Sequence, residues 1–209
     1  MNGIEFGDAC FITSVDHSPI NQNLQRKAAS RGKVIEGIAT KYNSVLFHDG
    51  MFKVLMPGAF DICLKNDAPV EMWLEHNESL RLGDTKTNLD LFSDDYGLHF
   101  RLRLDDSEIS WHARSLVASK AYTECSIGYD RAKTGTREID GKQVLFIYQA
   151  RLEEVSLVQN GAVKTTHATV NDLDQCGSLA DDCKSMKFRC DNAYVELERA
   201  LRRLDRTRR

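Results

Sequence analysis

The chain has 209 residues, of which 42% are hydrophobic, and its 28 Lys and Arg nearly balance its 31 Asp and Glu, for a formal net charge of −3. This length predicts one folded domain with additional segments, and the balanced charge excludes an overall field that would attract nucleic acid or an acidic membrane surface. The sequence shows no apolar run of membrane-spanning length and no signal-peptide pattern, so a cytosolic protein is expected.

The first part of the chain divides into an arm and the start of a domain. Residues 1–32 are polar and show no sustained period, which predicts a flexible arm. The folded domain is expected over 33–170. It opens with strand-like KVIEGIATKY (33–42) and FKVLM (52–56), and Pro57 then favours the first turn of a short helix.

The rest of this domain alternates strand patterns with turn residues. Segment 107–120 differs, because Ile109, Ala113 and Leu116 fall on one helical face. Together these patterns predict a mainly β or α+β fold, an antiparallel barrel decorated with a few helices. The strand patterns are VEMWLEH (70–76), RLGDTKTNLDLF (81–92), GLHFRLRLD (97–105), AYTECSIGYD (121–130), QVLFIYQA (143–150) and RLEEVSLV (151–158).

The last segment, 171–209, changes period. Cys183, Cys190, Leu197 and Leu204 recur every seven residues, which predicts a C-terminal amphipathic helix. Two interpretations stay open: the helix packs against another copy or a helical scaffold segment, or it docks on the protein's own barrel. Its basic end lacks the aromatic residues and motifs of nucleic-acid-binding modules, so no specific nucleic-acid partner is expected.

Ser126 is a candidate nucleophile. In AYTECSIGYD a period of two places Cys125 and Ile127 on a core face and Ser126 on the polar face, beside Gly128. The glycine leaves room for another group to approach the serine. An ordinary strand serine is the alternative. A serine hydroxyl acts as a nucleophile only when a base takes its proton, and that base is most often a histidine held in one tautomer by a third group.

Among the six histidines, His76 is the best placed to be that base. It ends VEMWLEH on the apolar face of the strand, at a rim; a structural histidine at a strand end is the alternative. In RLEEVSLV, Glu154 shares a face with Leu152 and Ser156, while Glu153 lies on the other face. Either carboxylate needs a partner among its apolar neighbours. The partner is a histidine or Arg151, and periodicity does not choose between the two acids.

The cysteines indicate neither export nor metal binding. The six of them contain no CxxC pair and are interpreted as reduced thiols. A zinc site from Cys63 and His76 would need further ligands, and none has metal-like spacing. No metal and no cofactor are therefore expected.

A series of short motifs extends over about residues 33–170. They are GIATKYN (37–43), MPGAF (56–60), His-Asn (76–77), Leu-Gly (82–83), YGLHFRLRL (96–104), CSIGY (125–129) and LEEVSLV (152–158). This order resembles that of the prohead proteases of tailed DNA phages, which are similar in fold to the herpesvirus assemblins. The resemblance implies an assemblin-like fold and a serine endopeptidase.

The resemblance also implies roles for three residues. In that family a histidine after a strand is the general base and a serine before an Ile/Phe-Gly-aromatic triplet is the nucleophile. An acid or a second histidine heading the V-S/A-L strand orients the base. These are His76, Ser126 and Glu154 here. The implied substrates are the scaffolding protein or the scaffold-like segment of the major capsid protein, and the protease itself, inside the immature phage head in the host cytoplasm. Assemblins work as dimers, which makes a homodimer an expectation.

One loop departs from the family pattern. Where a Pro-Ala-Asn kind of turn is usual, this chain has QNGAVK (159–164). Assemblin-like enzymes place oxyanion-binding N–H groups there, so Gly161 and Ala162 are the candidate donors, a tight turn being the alternative role of the glycine. The competing function is a catalytically silent barrel that serves as a scaffold or capsid interaction module.

Overall fold

The computed structural model of the chain describes residues 32–48, 50–66, 68–161 and 166–179. Apart from residue 32, the predicted arm lies outside these ranges, and so does the predicted heptad seam, which begins at Cys183. Ten strands are present in the described part: β1 Lys33–Lys41, β2 Val45–His48, β3 Met51–Leu55, β4 Glu71–Leu74, β5 Asn77–Asp84, β6 Leu89–Ser93, β7 Gly97–Arg103, β8 Glu124–Ile139, β9 Lys142–Val158 and β10 His167–Asp172.

The strands form two sheets. One is antiparallel, in the order β10-β1-β7-β6; the other has the order β2-β3-β9-β4-β5, with β8 pairing along the opposite edge of β9. The mainly β prediction is confirmed. The antiparallel closed barrel is not observed: the described strands make two sheets, and β3 and β4 run parallel to β9. A mixed sheet arises because β3 and β4 both reach β9 through connections longer than a hairpin.

The hairpin of β8 and β9 is the longest element of the fold. Its two-residue turn is Asp140-Gly141, with φ of 50° and 73°, the left-handed pair that an Asp-Gly hairpin turn requires. The sequence patterns at 143–150 and 151–158 predict two strands, whereas the structure joins them into the single strand β9.

Two α-helices lie in the described part: α1, Asp61–Lys65, and α2, Glu108–Ala118. Helix α2 confirms the helical pattern at 107–120, and its N-cap Ser107 accepts a hydrogen bond from the backbone N–H of Ser110. Helix α1 starts later than predicted, because Pro57 lies in a turn before it. In the residues described, no helix has the length and apolar character needed to cross a membrane.

The main hydrophobic core takes residues from both sheets and both helices. Met72 of β4, Cys125 of β8, and Val155 and Leu157 of β9 are all buried in it. Because side chains alternate across a strand, the neighbours of these residues lie on the opposite face of the same three strands. That opposite face carries the candidate site.

Candidate active site

Ser126 lies on β8 and is partly exposed. Its Cα partner across the sheet is Ser156 of β9, and Gly128, two residues on, pairs with Glu154. Directly paired residues share a face, so the four lie together. The neighbouring Cys125 points into the core, where burial raises the pKa of its thiol, which keeps it protonated and unreactive at neutral pH.

A register shift in β9 decides which side chains face the site. Gly128 pairs with Glu154 and Tyr129 with Leu152, so Glu153 is an extra residue in the ladder. Leu152 consequently belongs to the main core with Val155, although it lies two positions before Glu154, a spacing that would place both on one face of a regular strand. The prediction that Glu154 shares a face with Leu152 is therefore wrong, because a regular period of two does not hold across the shift.

His76 is carried by the turn between β4 and β5. Strand β4 ends at Leu74, and Glu75 and His76 have φ of 51° and 56°. The prediction that His76 ends the strand on its apolar face is wrong, because these left-handed residues turn the chain first. Such a conformation costs about 1 kcal/mol or more for each non-glycine residue and needs compensating contacts.

Three hydrogen bonds fix this turn to the end of β9. The N–H of Glu75 donates to the C=O of Leu157 (3.0 Å), and the N–H of His76 donates to Ser156 Oγ (3.2 Å). The Glu75 carboxylate in turn accepts from the N–H of Gln159 (2.9 Å). The turn thus has a defined position relative to the strand that carries Glu154.

The His76 imidazole is bonded to the carboxylate of Glu154. Nδ1 lies 2.7 Å from Oε1, and the side chains are 47% and 5% exposed, respectively. Because an ionised carboxylate only accepts, Nδ1 carries the proton and Nε2 is the acceptor. Oε2 of Glu154 accepts from the hydroxyl of Ser156 at 2.6 Å. Both oxygens of the buried carboxylate are therefore paired, and an accessible imidazole is held in one tautomer.

Gly128 provides the space for this carboxylate. A Cβ at position 128 would lie 2.7 Å from Oε1 of Glu154, which is too close. The sequence prediction was that the glycine would leave open space beside Ser126. Its described neighbour is instead the acid that holds His76, so any side chain at 128 would displace Glu154 from His76.

The neighbouring acid, Glu153, has different partners. It is exposed and accepts from the guanidinium of Arg151 at 2.5 Å, while Arg151 also donates two 2.7 Å hydrogen bonds to Asp130. These hydrogen bonds from Arg151 hold the pKa of the Asp130 carboxyl below its usual range. The structure thus brings Glu154, and not Glu153, to His76.

Ser126 and His76 are not hydrogen-bonded to each other in the described structure. Ser156 connects them: it is the Cα partner of Ser126, and its Oγ bonds the His76 backbone. Catalytic hydrogen bonds are often long in a free enzyme and shorten when substrate binds. The arrangement therefore supplies a hydroxyl, an oriented base and a buried acid on adjacent elements, as acyl transfer requires.

Of the two candidate oxyanion donors, Gly161 belongs to the described part of the chain. Ala162 lies outside the described residues. Gly161 is buried, and its N–H donates to the carboxylate of Glu124 at 2.6 Å. Its glycine identity follows from close packing, because a Cβ there would lie 2.6 Å from the C=O of Cys125.

Sequence analysis placed Ser156 on the face of Glu154 but gave it no role. It is fully buried and bonds both the His76 backbone and Glu154. In VSLV the serine lies between valine and leucine, and this apolar setting indicates a buried hydroxyl. A buried hydroxyl needs hydrogen-bond partners. That requirement was the available signal, but no pattern in the sequence identifies the partners.

In the residues described, no cluster of His, Cys, Asp or Glu has a metal-binding arrangement.

One comparison with known proteins identifies the family of the chain. The family model of the caudovirus prohead serine protease matches residues 21–177, a range that contains Ser126, His76, Glu154 and Gly161. Since this is more than half of the chain, the protein belongs to the caudovirus prohead serine protease family. It is thus a serine peptidase of phage capsid maturation that acts in the assembling head. A comparison with curated proteins gave no match.

Proposed function

We propose that the chain is a prohead maturation endopeptidase in which Ser126 is the nucleophile, His76 the general base and Glu154 the acid that orients the base. The observation that carries this proposal is the 2.7 Å bond between His76 Nδ1 and the buried Glu154, one strand away from Ser126. It leaves Nε2 of a half-exposed imidazole free to take a proton.

The reaction is acyl transfer from a peptide bond. His76 Nε2 takes the proton of Ser126 as its oxygen attacks the scissile carbonyl, and the imidazolium then donates that proton to the leaving amine. Glu154 stabilises the imidazolium and stays ionised. Water, activated by the same imidazole, hydrolyses the acyl-enzyme and restores Ser126.

The oxyanion of the tetrahedral intermediate needs N–H donors. Gly161 and Ala162 remain our candidates. For Gly161 to donate to the oxyanion, its N–H has to exchange the carboxylate of Glu124 for the substrate oxygen. This exchange would accompany substrate binding and would involve the 159–164 loop that departs from the family pattern.

Ser156 is a positioning residue in this proposal. Its hydroxyl accepts from the His76 backbone and donates to Glu154, so it fixes the base and the acid relative to each other. At metal sites, removal of a group that orients a ligand in this way commonly costs about 10- to 100-fold in affinity or activity, and a loss of that order is expected here.

Membership in the family supports the choice of substrates. A prohead protease meets capsid and scaffold proteins in the assembling head. We infer that this chain cleaves the scaffolding protein or the scaffold-like segment of the major capsid protein, and itself. An assemblin-like fold, a homodimer, and the division into arm (1–32), protease domain (33–170) and tail (171–209) belong to the same proposal.

Co-expression tests this function. The full chain and the major capsid protein from the same phage are produced together, and the capsid protein is examined for a new N-terminus by mass spectrometry. Cleavage that is lost with Ser126→Ala supports the endopeptidase. Association without any cleavage by the unaltered chain would favour the catalytically silent interaction module.

A further inference from the structure

A groove lies between helix α2 and strand β10, and no member of the candidate triad lines it. Its volume is about 660 Å³, which falls in the range of ligand pockets, about 300–1,000 Å³. One wall is the strand His167–Asp172, and the other is the helix. The remaining lining residues are Lys33, Arg114, Val117, Ala118, Lys120 and Thr123.

The wall formed by β10 is an unpaired strand edge. Strand β10 is the last of its sheet, and among the described strands β1 is its ladder partner. The N–H of Ala168 donates away from β1, to the C=O of Thr123 (3.0 Å). Alternate residues direct their N–H and C=O to the same side, so those of Val170 also point away from β1, and no described residue bonds them. Such an edge can accept one more strand.

The charged side chains of the groove favour an acidic ligand. Lys33 forms an ion pair with Asp172, so these two charges offset each other. Burial lowers the pKa of His167, which is therefore largely neutral at neutral pH. Arg114 is half-buried and Lys120 is exposed, and neither forms an ion pair with a described residue. The described lining thus carries unpaired positive charge on Arg114 and Lys120.

The segments of the chain that flank the sheet do not suit this groove. The segment after β10 leads away from the open edge, because the C=O of Gly177 accepts from Arg101 of β7 (2.6 Å), and β1 lies between β7 and β10. The segment before β1, QRKAASR (25–31), is basic like the groove, and like charges repel. These two observations favour a ligand from another molecule.

We propose that the groove between α2 and β10 binds an extended acidic segment of another protein, which adds a strand to the open edge of β10. The main chain of this segment pairs with Val170, and its acidic side chains lie near Arg114 and Lys120. A nucleic acid would match the charge, but it has no peptide groups to continue the ladder. The groove is separate from the proposed catalytic residues, so this docking site does not depend on the proposed function.

A peptide library tests the proposal. Full-length Ser126→Ala, which should not cut peptides, is incubated with a bead-bound library of random peptides of about eight residues, slightly longer than β10. Bound peptides should be enriched in Asp and Glu over Lys and Arg. An enriched peptide, labelled with fluorescein, should bind in an anisotropy titration, and more weakly as the salt concentration rises. Selection without an acidic preference would overturn the proposal.

A pair of double variants locates the binding site. Arg114→Gln combined with Lys120→Glu should raise Kd for the enriched peptide at least about tenfold. Arg137→Gln combined with Lys133→Glu makes the same charge change at exposed sites of β8 outside the groove, and its Kd should stay within about twofold. Urea titration checks that both variants stay folded. Equal effects of the two double variants would contradict binding in this groove.

Backbone methylation of the peptide tests the added strand without altering the protein. The enriched peptide is synthesised with one N-methyl group at each position in turn. Alternate N–H groups of an added strand face β10, so methylation should weaken binding at least about tenfold at every second residue and much less between them. Equal effects at neighbouring positions would overturn strand addition.

Other occupants would give different results, and each would overturn the proposal. A single-stranded oligonucleotide that binds more tightly than the peptide, and loses affinity in the Arg114 and Lys120 double variant, would assign the groove to nucleic acid. Dimerisation of the full chain that this variant abolishes, without any selected peptide, would assign it to a second copy. A chain that binds the acidic peptide but cuts no capsid protein would contradict the proposed function and leave the docking site standing.

Discussion

Two histidine–carboxylate pairs lie in the part of the chain that the structure describes, and their burial is opposite. At the candidate site an imidazole that is 47% exposed meets Glu154, whose side chain is 5% exposed. Near the turn between β6 and β7, His99 is 3% exposed and its Nε2 lies 3.2 Å from Oδ2 of Asp94, which is 30% exposed. That second contact lacks the angle of a hydrogen bond.

This difference in burial is the one expected between a pair that can act on a substrate and a pair that stabilises the fold. Asp94 accepts the N–H groups of Tyr96 and Gly97, so its carboxylate caps a turn, and the buried His99 has no path to a substrate. Glu154 is instead held by Ser156 and presents an imidazole with an accessible nitrogen. A histidine beside an acid is thus not sufficient: the acid must be buried, the imidazole exposed, and a hydroxyl must lie nearby.

The largest effect is expected at Ser126 and His76. Ser126→Ala and His76→Ala should each lower the rate of capsid-protein cleavage by about 10⁴ to 10⁶, because members of one catalytic unit are each essential. Circular dichroism should show that both variants stay folded. His99→Gln is the matched histidine control and should retain activity; full proteolysis by Ser126→Ala would refute the nucleophile assignment.

A smaller loss is expected for the acid. Glu154→Gln should reduce kcat by about 10⁴ and leave measurable activity, since an orienting acid contributes less than the nucleophile or base in comparable enzymes. Glu153→Gln is the control, because Glu153 is paired with Arg151 on the exposed side, and its activity should stay within about threefold of the unaltered protein. The reverse result would mean that the register of β9 is displaced by one residue.

Ser156→Ala should lower kcat by about 10- to 100-fold with a much smaller change in KM, because it removes the bonds that hold His76 and Glu154 without touching substrate. The double variant that combines Ser156→Ala with Glu154→Gln should be at most a few fold slower than Glu154→Gln alone, since both changes disturb the same bond. Independent, multiplicative losses would contradict a positioning role.

At the second pair the effect is on stability. His99→Gln should lower the free energy of unfolding by about 1–3 kcal/mol, because it changes a buried side chain in a packed sheet. Urea titration measures this value. Stability equal to that of the unaltered protein would contradict a structural role for His99.

The smallest expected effect is a pH dependence of stability that is caused by His167. Burial, with a smaller contribution from His99, lowers the pKa of His167 from 6.5. The unfolded chain therefore binds this proton more readily, so stability should be complete above about pH 6.5 and should decline as the pH falls toward the lower folded pKa. His167→Gln should flatten this decline in urea titrations at pH 7.5 and 5.5, while exposed His112→Gln should not.

Much of the local structure followed from the sequence. Most of the strands and helix α2 were predicted, because their patterns depend on neighbouring residues alone, whereas β2 and β10 were not. The parallel pairing of β3 and β4 with β9 was not, since it depends on contacts between distant segments. The extra residue Glu153 also escaped detection, because a register shift has no composition signal of its own.

The candidate site, too, could be predicted from the sequence only in part. Residue types and motif order selected Ser126, His76 and Glu154, but the period of two left Glu153 open and put His76 on the wrong face. The left-handed conformation of His76 could not be read from Glu-His, which is an unusual pair for a hairpin turn. The role of Ser156 depends on its bond to the backbone of His76, 80 residues earlier in the chain, which only folding brings close.

Labelling with a fluorophosphonate probe tests the central claim most directly, namely that His76 and Glu154 activate Ser126. The account predicts a single adduct on Ser126, identified by peptide mass spectrometry, that is lost with His76→Ala and retained with His99→Gln. An unlabelled native protein, or an adduct on Ser126 that forms equally fast without His76, would contradict it.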